Sequence, residues 1–521
     1  MATVRTGLVG IAWVALAGCA PTAPIASVAP PAPPESVEAW LLDADAAALE
    51  ARPPAEVRAA VLARIAALEP VLSATIAVDP SAFDRGRGEG PLANLPILVK
   101  DNVDAVGFAT TAGSRVMAGN VPPDDAFLVA RLREAGAIVL GKTNLSEWAN
   151  FRSDPSSSGW SGAGGQARNP HALDRSPCGS SSGSAIAVAA GYVPFAIATE
   201  TDGSILCPAS INGIVGVKPT LGLVSRDGIV PIAHSQDTAG PVARTVRDAA
   251  RLLEVIAAAD PSDPASAARP ADLDLRYVDA LDPDALRGAR IGAVRGLDAF
   301  SPAVDALFDR AIADLRRLGA EVVEVELPVP DSAGDDETEV LLHEFRPDLE
   351  RYLAGAPASV PKTLAALIDA HRADPLEVEW FGLELFEQAA AHAADGQPDD
   401  YATAAARLKA LGPAIDAALG SAALGALIAP SFGPAWPIDP VGGDAFTGGT
   451  STITAVSGYP AVTVPMGDVH GLPVGVSWIG PAWSEARLLG FAYAYEQGTG
   501  TPTGTATAGR APKPTFRQTV H

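Results

Sequence analysis

The chain has 521 residues, 48% of them hydrophobic, with 50 glycines and 46 prolines: enough apolar content for one large core or two ordinary ones, and too much for a wholly disordered chain. Its 61 acidic against 37 basic residues leave a formal charge of -24, a field that repels phosphate backbones and anionic lipid heads and excludes nucleic acid as a partner. Three cysteines are too few for a disulfide framework or a zinc-type cluster.

From the N-terminus, Arg5 precedes an apolar run over 7–17 that is too short to span a bilayer, so 1–18 reads as a signal peptide. The run ends in Leu16-Ala17-Gly18-Cys19, which resembles the lipobox of bacterial lipoproteins. That resemblance implies lipidation at Cys19, export, and anchoring in the cell envelope on the periplasmic side of a bacterial membrane. Residues 19–35 are rich in Pro and Ala without apolar periodicity and read as an extended tether, with the folded domain starting near Ser36.

Within the domain, Asp124 and Asp125 are placed to cap a helix over AFLVARLREAG, and AIVLG follows as a short buried strand. The unit recurs: Ser301-Pro302 opens a helix with Val304, Leu307, Phe308, Ile312, Leu315 and Leu318 on one face, and Val323, Val325 and Leu327 then alternate with Glu324 and Glu326. Further strands are expected at 96–99, 195–199, 290–294, 426–429 and 461–464. Helix followed by strand, repeated, predicts an α/β fold in which one sheet collects most of the chain. Residues 334–420 read as a helical insertion able to wall a cleft, carrying Trp380, Phe381 and Phe386, or else as surface helices packed on the core. Residues 501–521 read as a flexible tail.

The stretch SPCGSSSGSA (176–185) holds Ser180, Ser181, Ser182 and Ser184 between glycines. Its G-x-S-x-G centred on Ser181 matches the nucleophile elbow of a Ser-His-Asp esterase, but that elbow needs a buried apolar strand upstream, and ARNPHALDRSPC is polar with two prolines. His234, His343, His371, His392 and His470 lie downstream, none in a stretch that marks it out. A second reading uses spacing: Thr201-Asp202-Gly203-Ser204 follows the apolar run that begins at Phe195, and Lys100 ends LPILVK.

Four blocks, PILVKDNVDAVGFATTAGS, GSSSGSAIAVAAGYVPFAIATETDGSILCPAS, SQDTAGPVART and GYPAVTVPMGDVHGLPVGVSWIG, resemble in order the conserved segments of the amidase signature enzymes. The resemblance implies a single large domain over 36–500 with a central mixed β-sheet covered by helices on both faces. It implies Lys100 as base, Ser180 as a bridging serine after a cis peptide bond, and Ser204 as nucleophile. The backbone N–H groups of Thr201, Asp202, Gly203 and Ser204 are the implied oxyanion hole, and Ser181 a hydrogen-bonding support for the lysine. Ser182 and Ser184 are expected to satisfy the N-terminus of the helix that follows. No metal, cofactor or obligate protein partner is implied.

The residue types suit this chemistry. Lysine acts as a base only if burial lowers its ordinary pKa of about 10.4, so Lys100 is expected to be desolvated; the alternative is a structural lysine paired to Asp101. Cys178 and Cys207 read as buried free thiols, with pairing as the other possibility. Leu206 stands where the family commonly has an arginine two residues after the nucleophile, which argues against recognition of a substrate carboxylate there. Runs such as TNLSEWANFRS look closest to bacterial peptide amidases, which release ammonia from C-terminal peptide amides. The other readings are a glutamine-dependent amidotransferase A-type subunit, the Ser181 esterase, and an inactive lipid-anchored binding protein.

Overall fold

The structure, a computed structural model, describes residues 37–86, 88–297, 301–395, 398–500 and 511–520. The expected signal peptide, Cys19 and the tether lie outside the described residues. In chain order the elements are α1 (Ala46–Glu50), α2 (Pro54–Leu72), β1 (Thr75–Val78), β2 (Pro96–Lys100), α3 (Phe127–Glu134), β3 (Ile138–Thr143), β4 (Trp160–Ser161), β5 (Gly165–Gln166), α4 (Ser182–Ala189), β6 (Phe195–Glu200), α5 (Leu206–Ile211), β7 (Val215–Lys218), β8 (Thr238–Ala243) and α6 (Val246–Ile256). The second half adds β9 (Arg290–Arg295), α7 (Pro302–Arg317), β10 (Glu321–Glu326), α8 (Ala333–Gly355), α9 (Leu364–Ala373), α10 (Glu384–Asp395), α11 (Pro398–Lys409), α12 (Leu411–Ser421), β11 (Ala426–Pro430), α13 (Thr452–Ser457), β12 (Ala461–Val469), β13 (Leu472–Ile479) and α14 (Glu485–Thr499).

Eleven strands form one mixed sheet in the order β1-β3-β2-β6-β8-β7-β12-β13-β11-β9-β10, flanked by helices. β2 runs parallel to β3 and β6, the middle from β6 to β11 is antiparallel, and β9 is parallel to both β11 and β10. Every residue of β2, β3, β6, β7, β8, β11 and β13 is buried, so both faces of the middle of the sheet are covered. The edge strand β10 instead alternates, as its Val and Glu residues predict.

The helix expected over 126–136 is present as α3, but its cap is different. Ala126 occupies the N-cap position without a side-chain bond, because Asp125 is taken by the Val106 N–H at 2.7 Å and by Arg133 at 2.8 Å. The cap expected at Ser301 forms: its hydroxyl accepts from Val304 N–H at 3.3 Å. The insertion is five helices, α8 to α12, and α8, α9 and α10 dock on the segment around Trp148 and Phe151 through their apolar faces. Phe345 and Phe386 pack against Phe151 and Trp148, with ring centroids 4.8 and 5.3 Å apart. His371 of α9 gives its Nδ1 hydrogen to Leu367 O (2.8 Å), and its Nε2 accepts from Trp148 Nε1–H (3.0 Å).

The C-terminal segment departs from the expected flexible tail over its described part. Phe516 is 4% exposed in the main core, its N–H bonds Pro170 O at 2.9 Å, and Arg517 O accepts from Leu173 N–H at 2.9 Å. Burial of the Phe516 ring acts together with these backbone bonds and with Thr515 Oγ1, which donates to His171 O at 3.0 Å, to hold the segment down. Among the described residues, no helix is long and apolar enough to cross a membrane.

Candidate active site

Three chain segments meet at the C-terminal ends of β2 and β6, which run side by side with Val99 opposite Ile197. β2 carries four buried apolar residues and delivers Lys100 at its end with no exposed surface. Its Nζ lies 2.7 Å from Ser180 Oγ, 2.8 Å from Thr199 Oγ1 and 3.2 Å from Thr199 O. Burial lowers its pKa to about 7, although the charges of Glu200 and Asp237 pull the other way. Asp101 does not compensate it. That carboxylate turns to Lys142, 3.3 Å away, and to the Thr111 hydroxyl, so the structural pair in this region is Asp101–Lys142.

Ser180 enters from the loop before α4, and the Gly179–Ser180 peptide is cis. A side chain at 179 has no room, since a Cβ there would stand 2.1 Å from Ser146 Oγ. The other serines depart from expectation. Ser181 makes no bond to the lysine; it donates to Thr199 O (2.9 Å) and accepts from Thr199 N–H (3.2 Å). Ser182 donates back to Cys178 O (2.6 Å) and Ser184 to Ile197 O of β6 (2.8 Å), so neither caps α4. Three of the four serines therefore fasten the loop and helix in place, Ser181 and Ser184 to β6 and Ser182 to the loop itself, and one faces the amine. With Ser181 fully buried and bonded to Thr199, and no histidine lining the cavity among the described residues, the Ser181 esterase reading has no geometric basis.

Ser204 follows β6 in a turn made possible by Gly203, at φ 74°. The turn is held by its side chains: Thr201 donates to Asp237 Oδ1 (2.6 Å), Thr452 to Asp202, and the N–H groups of Ile205 and Leu206 to Glu200 Oε2 (2.7 and 2.9 Å). The N–H groups of Thr201, Asp202, Gly203 and Ser204 donate to nothing among the described residues. The Ser204 hydroxyl is likewise unbonded there and opens onto a cavity of about 370 Å³. Phe432, Trp436 and Phe446 form one wall, and Glu337 and Leu341 of α8 another. The insertion thus does wall the cleft, but not with the aromatics that suggested it: Phe381 and Phe386 are buried in packing and Trp380 is half-exposed.

Cys178 and Cys207 are joined in a disulfide, with Cα atoms 6.0 Å apart, rather than standing as free thiols. Cys178 precedes Ser180 by two residues and Cys207 follows Ser204 by three, so the bond ties the Ser180 loop to the start of α5, just after Ser204. Thr199, Asn102 (whose Nδ2 donates to Thr199 Oγ1 at 3.0 Å) and Glu200 were not singled out from sequence. Two clusters outside the cavity bring carboxylates and a histidine within ligand distance, Glu147–His371–Glu377 and His234–Glu344–Asp348. In the first, Arg152 already sits 2.6 Å from Glu147 and 3.2 Å from Glu377.

The sequence matches the Amidase family over residues 56–489. The chain belongs to that family. This amidase superposes on the crystal structure of the peptide amidase PAM, solved with the competitive inhibitor chymostatin, with a TM-score of 0.83 and 50% identity over 88% of this chain and 98% of that one. It is 38% identical to a probable amidase of Arabidopsis thaliana over 83% of this chain and 84% of the relative. It is also 38% identical to the A-type subunit of the glutamyl-tRNA(Gln) amidotransferase of Symbiobacterium thermophilum, over 84% and 92%. An amide-hydrolysing enzyme with the single amidase-signature domain expected from sequence is what these likenesses support. The expectation of a membrane-anchored periplasmic lipoprotein is corrected. The likeness to PAM is to the amidase fold, over nearly the whole of that chain, and among the described residues no helix is able to cross a membrane.

Proposed function

We propose that this amidase hydrolyses the carboxamide at the C-terminus of peptides, with Ser204 as nucleophile, Ser180 as relay and Lys100 as base. The observation that carries the proposal is the setting of Lys100: an entirely buried amine with hydroxyl and carbonyl partners in place of a carboxylate, 2.7 Å from Ser180 Oγ. A neutral amine has two hydrogens and one lone pair. Thr199 O and Thr199 Oγ1 take the two hydrogens, which leaves the lone pair for the Ser180 O–H.

The steps follow from that polarity. Ser204 Oγ bonds to the amide carbon as its proton passes to Ser180, whose own proton passes to Lys100. The carbonyl electron pair moves onto oxygen, where the free N–H groups of the 201–204 turn receive it; each such donor is worth about 3 kcal/mol. The proton returns along the same path to the amide nitrogen, the C–N bond breaks and ammonia leaves. Water repeats the sequence on the ester, releasing the acid and restoring Ser204.

The 50% identity to a peptide amidase supports the substrate class. A second reading, an amidotransferase A-type subunit, is favoured by the likeness to the Symbiobacterium protein. It requires a site for the carboxylate of glutamine, and no Lys, Arg or His lines the cavity among the described residues. Ammonia release from a peptide amide and from glutamine separates the two: release from the peptide amide alone is expected, and release from glutamine alone would replace the proposal. A serine-directed phosphonate is expected to label Ser204 and to fail on Lys100→Ala; ammonia from neither compound would favour an inactive binding protein.

A further inference from the structure

The insertion places one ionisable side chain in the cavity wall, Glu337 of α8, and it meets Asp202 of the 201–204 turn within hydrogen-bonding reach. Gln236 Nε2 donates to Glu337 Oε1 at 2.7 Å, and the Thr452 hydroxyl donates to Asp202 Oδ2. Asp202 Oδ1 is buried with no hydrogen-bond partner. A proton on Glu337 supplies that missing donor, and two adjacent, partly buried carboxylates favour keeping one proton between them. Burial raises both groups, and the charge of Asp202 raises Glu337 further, so of the two acids Glu337 is the one that holds a proton more readily. The other groups facing the pair are Ser451, the N-cap of α13, Thr452 of α13, Lys218 of β7 and Glu200 of β6; the last two oppose each other in sign. The pair thus presents a single negative charge. The third acid of the wall, Asp444, is held by Ser158 N–H (3.0 Å) and Trp436 Nε1–H (2.9 Å).

We propose that the Asp202–Glu337 carboxyl pair is a charge filter for the acyl part of the substrate, admitting a neutral or cationic residue next to the scissile amide and refusing an anionic one. The inference rests on the peptide amidase reading: when only ammonia leaves, whatever fills the cavity beside Ser204 belongs to the acyl side. The same charge disfavours the product, because hydrolysis turns a neutral amide into a carboxylate at Ser204.

The test is kcat/KM, by ammonia release, for acetyl-alanyl-leucine amide, acetyl-alanyl-lysine amide and acetyl-alanyl-glutamate α-amide. The glutamyl amide is expected to be slower than the leucyl amide by about tenfold or more, with the lysyl amide at least equal to it. Glu337→Gln keeps one charge on the pair and is expected to keep that ratio; Glu337→Lys, which cancels it, is expected to bring the ratio close to unity. Inhibition of the wild-type enzyme by acetyl-alanyl-leucine, which needs no variant, is expected to show a Ki about tenfold or more above the KM of the amide. Equal rates on all three amides, or an unchanged ratio in Glu337→Lys, would overturn the filter while leaving the amidase intact. Ammonia from none of them would end the underlying reading and the filter with it.

Discussion

Lys100 and Asp101 are neighbours in sequence with opposite fates: one amine is left among hydroxyls, while the carboxylate beside it neutralises Lys142. Successive residues leaving a strand point to opposite faces, which is how a charged pair in sequence becomes two separate environments. In the mechanism proposed above, an amine with its pKa lowered to about 7 is protonated, and idle as a base, on the acid side of that value. The kcat/KM of this amidase is therefore expected to fall about tenfold per pH unit below pH 7 and to level off above pH 8. Lys100→Ala is expected to lose about 10²- to 10⁴-fold in kcat/KM, and a pH–rate series on peptide amide measures both effects. An acid limb that survives in Lys100→Ala would assign the titration to another group. At this scale Lys100, Ser180 and Ser204 stood out as candidates because each sits in a run with a recognisable pattern; the structure sets Lys100 against Ser180 and opens Ser204 onto the cavity, and their roles are those proposed above. Thr199 was not: a threonine near the end of an apolar strand looks like any β-branched strand residue until the lysine is seen against it. The Cys178–Cys207 bond was equally hidden, since two cysteines 29 apart say nothing of distance until the Ser180 loop and the start of α5 are brought face to face.

Among elements, the strands were the readable part. Short apolar runs bounded by Gly or Pro marked β2, β6, β9, β11 and β12 to within a residue at the start of each, because a strand buried on both faces has no other composition available to it. The insertion was legible as helical but not in its orientation. Amphipathic periodicity reports which face is apolar and is silent on which neighbour that face meets. Here the neighbour is the segment around Trp148, and the docking includes a polar contact inside the apolar interface, Trp148 Nε1–H to His371 Nε2. Trp148→Phe keeps most of the ring and removes the donor. It is expected to destabilise the docked insertion by about 1–3 kcal/mol, seen as faster amide hydrogen exchange over α9 with little change in β2 or β6. Exchange that rises equally across the sheet would mean that insertion and sheet unfold as one unit.

At the level of the whole molecule, a chain of net charge -24 buries acids as well as exposing them. Burial raises Glu69 to about 7, and Glu200, Asp237 and Asp248 to about 6. Each binds a proton in the folded state at pH values where the unfolded chain has released it. The stability they contribute is complete below about pH 4 and is lost as pH rises through 6 and 7. Lys100 acts oppositely, and only above about pH 7, where the unfolded chain keeps a proton that the folded one does not. Relief of surface repulsion on acidification adds in the same direction as the acids. Thermal unfolding is therefore expected at a higher temperature at pH 5 than at pH 7, and calorimetry across that interval checks the sign. Composition alone announced the acidic surface; which carboxyls go inside is a property of the assembled sheet.

The docked segment at 511–520 has a practical corollary. A gene shortened just past the last family-matched position, 489, or at the end of α14, would look complete, yet it would delete Phe516 and leave a hole in the interior beside Pro170 and Leu173. Engineering of this amidase should therefore treat residues 511–520 as a plug, and a purification handle beyond them needs a spacer long enough not to pull it out.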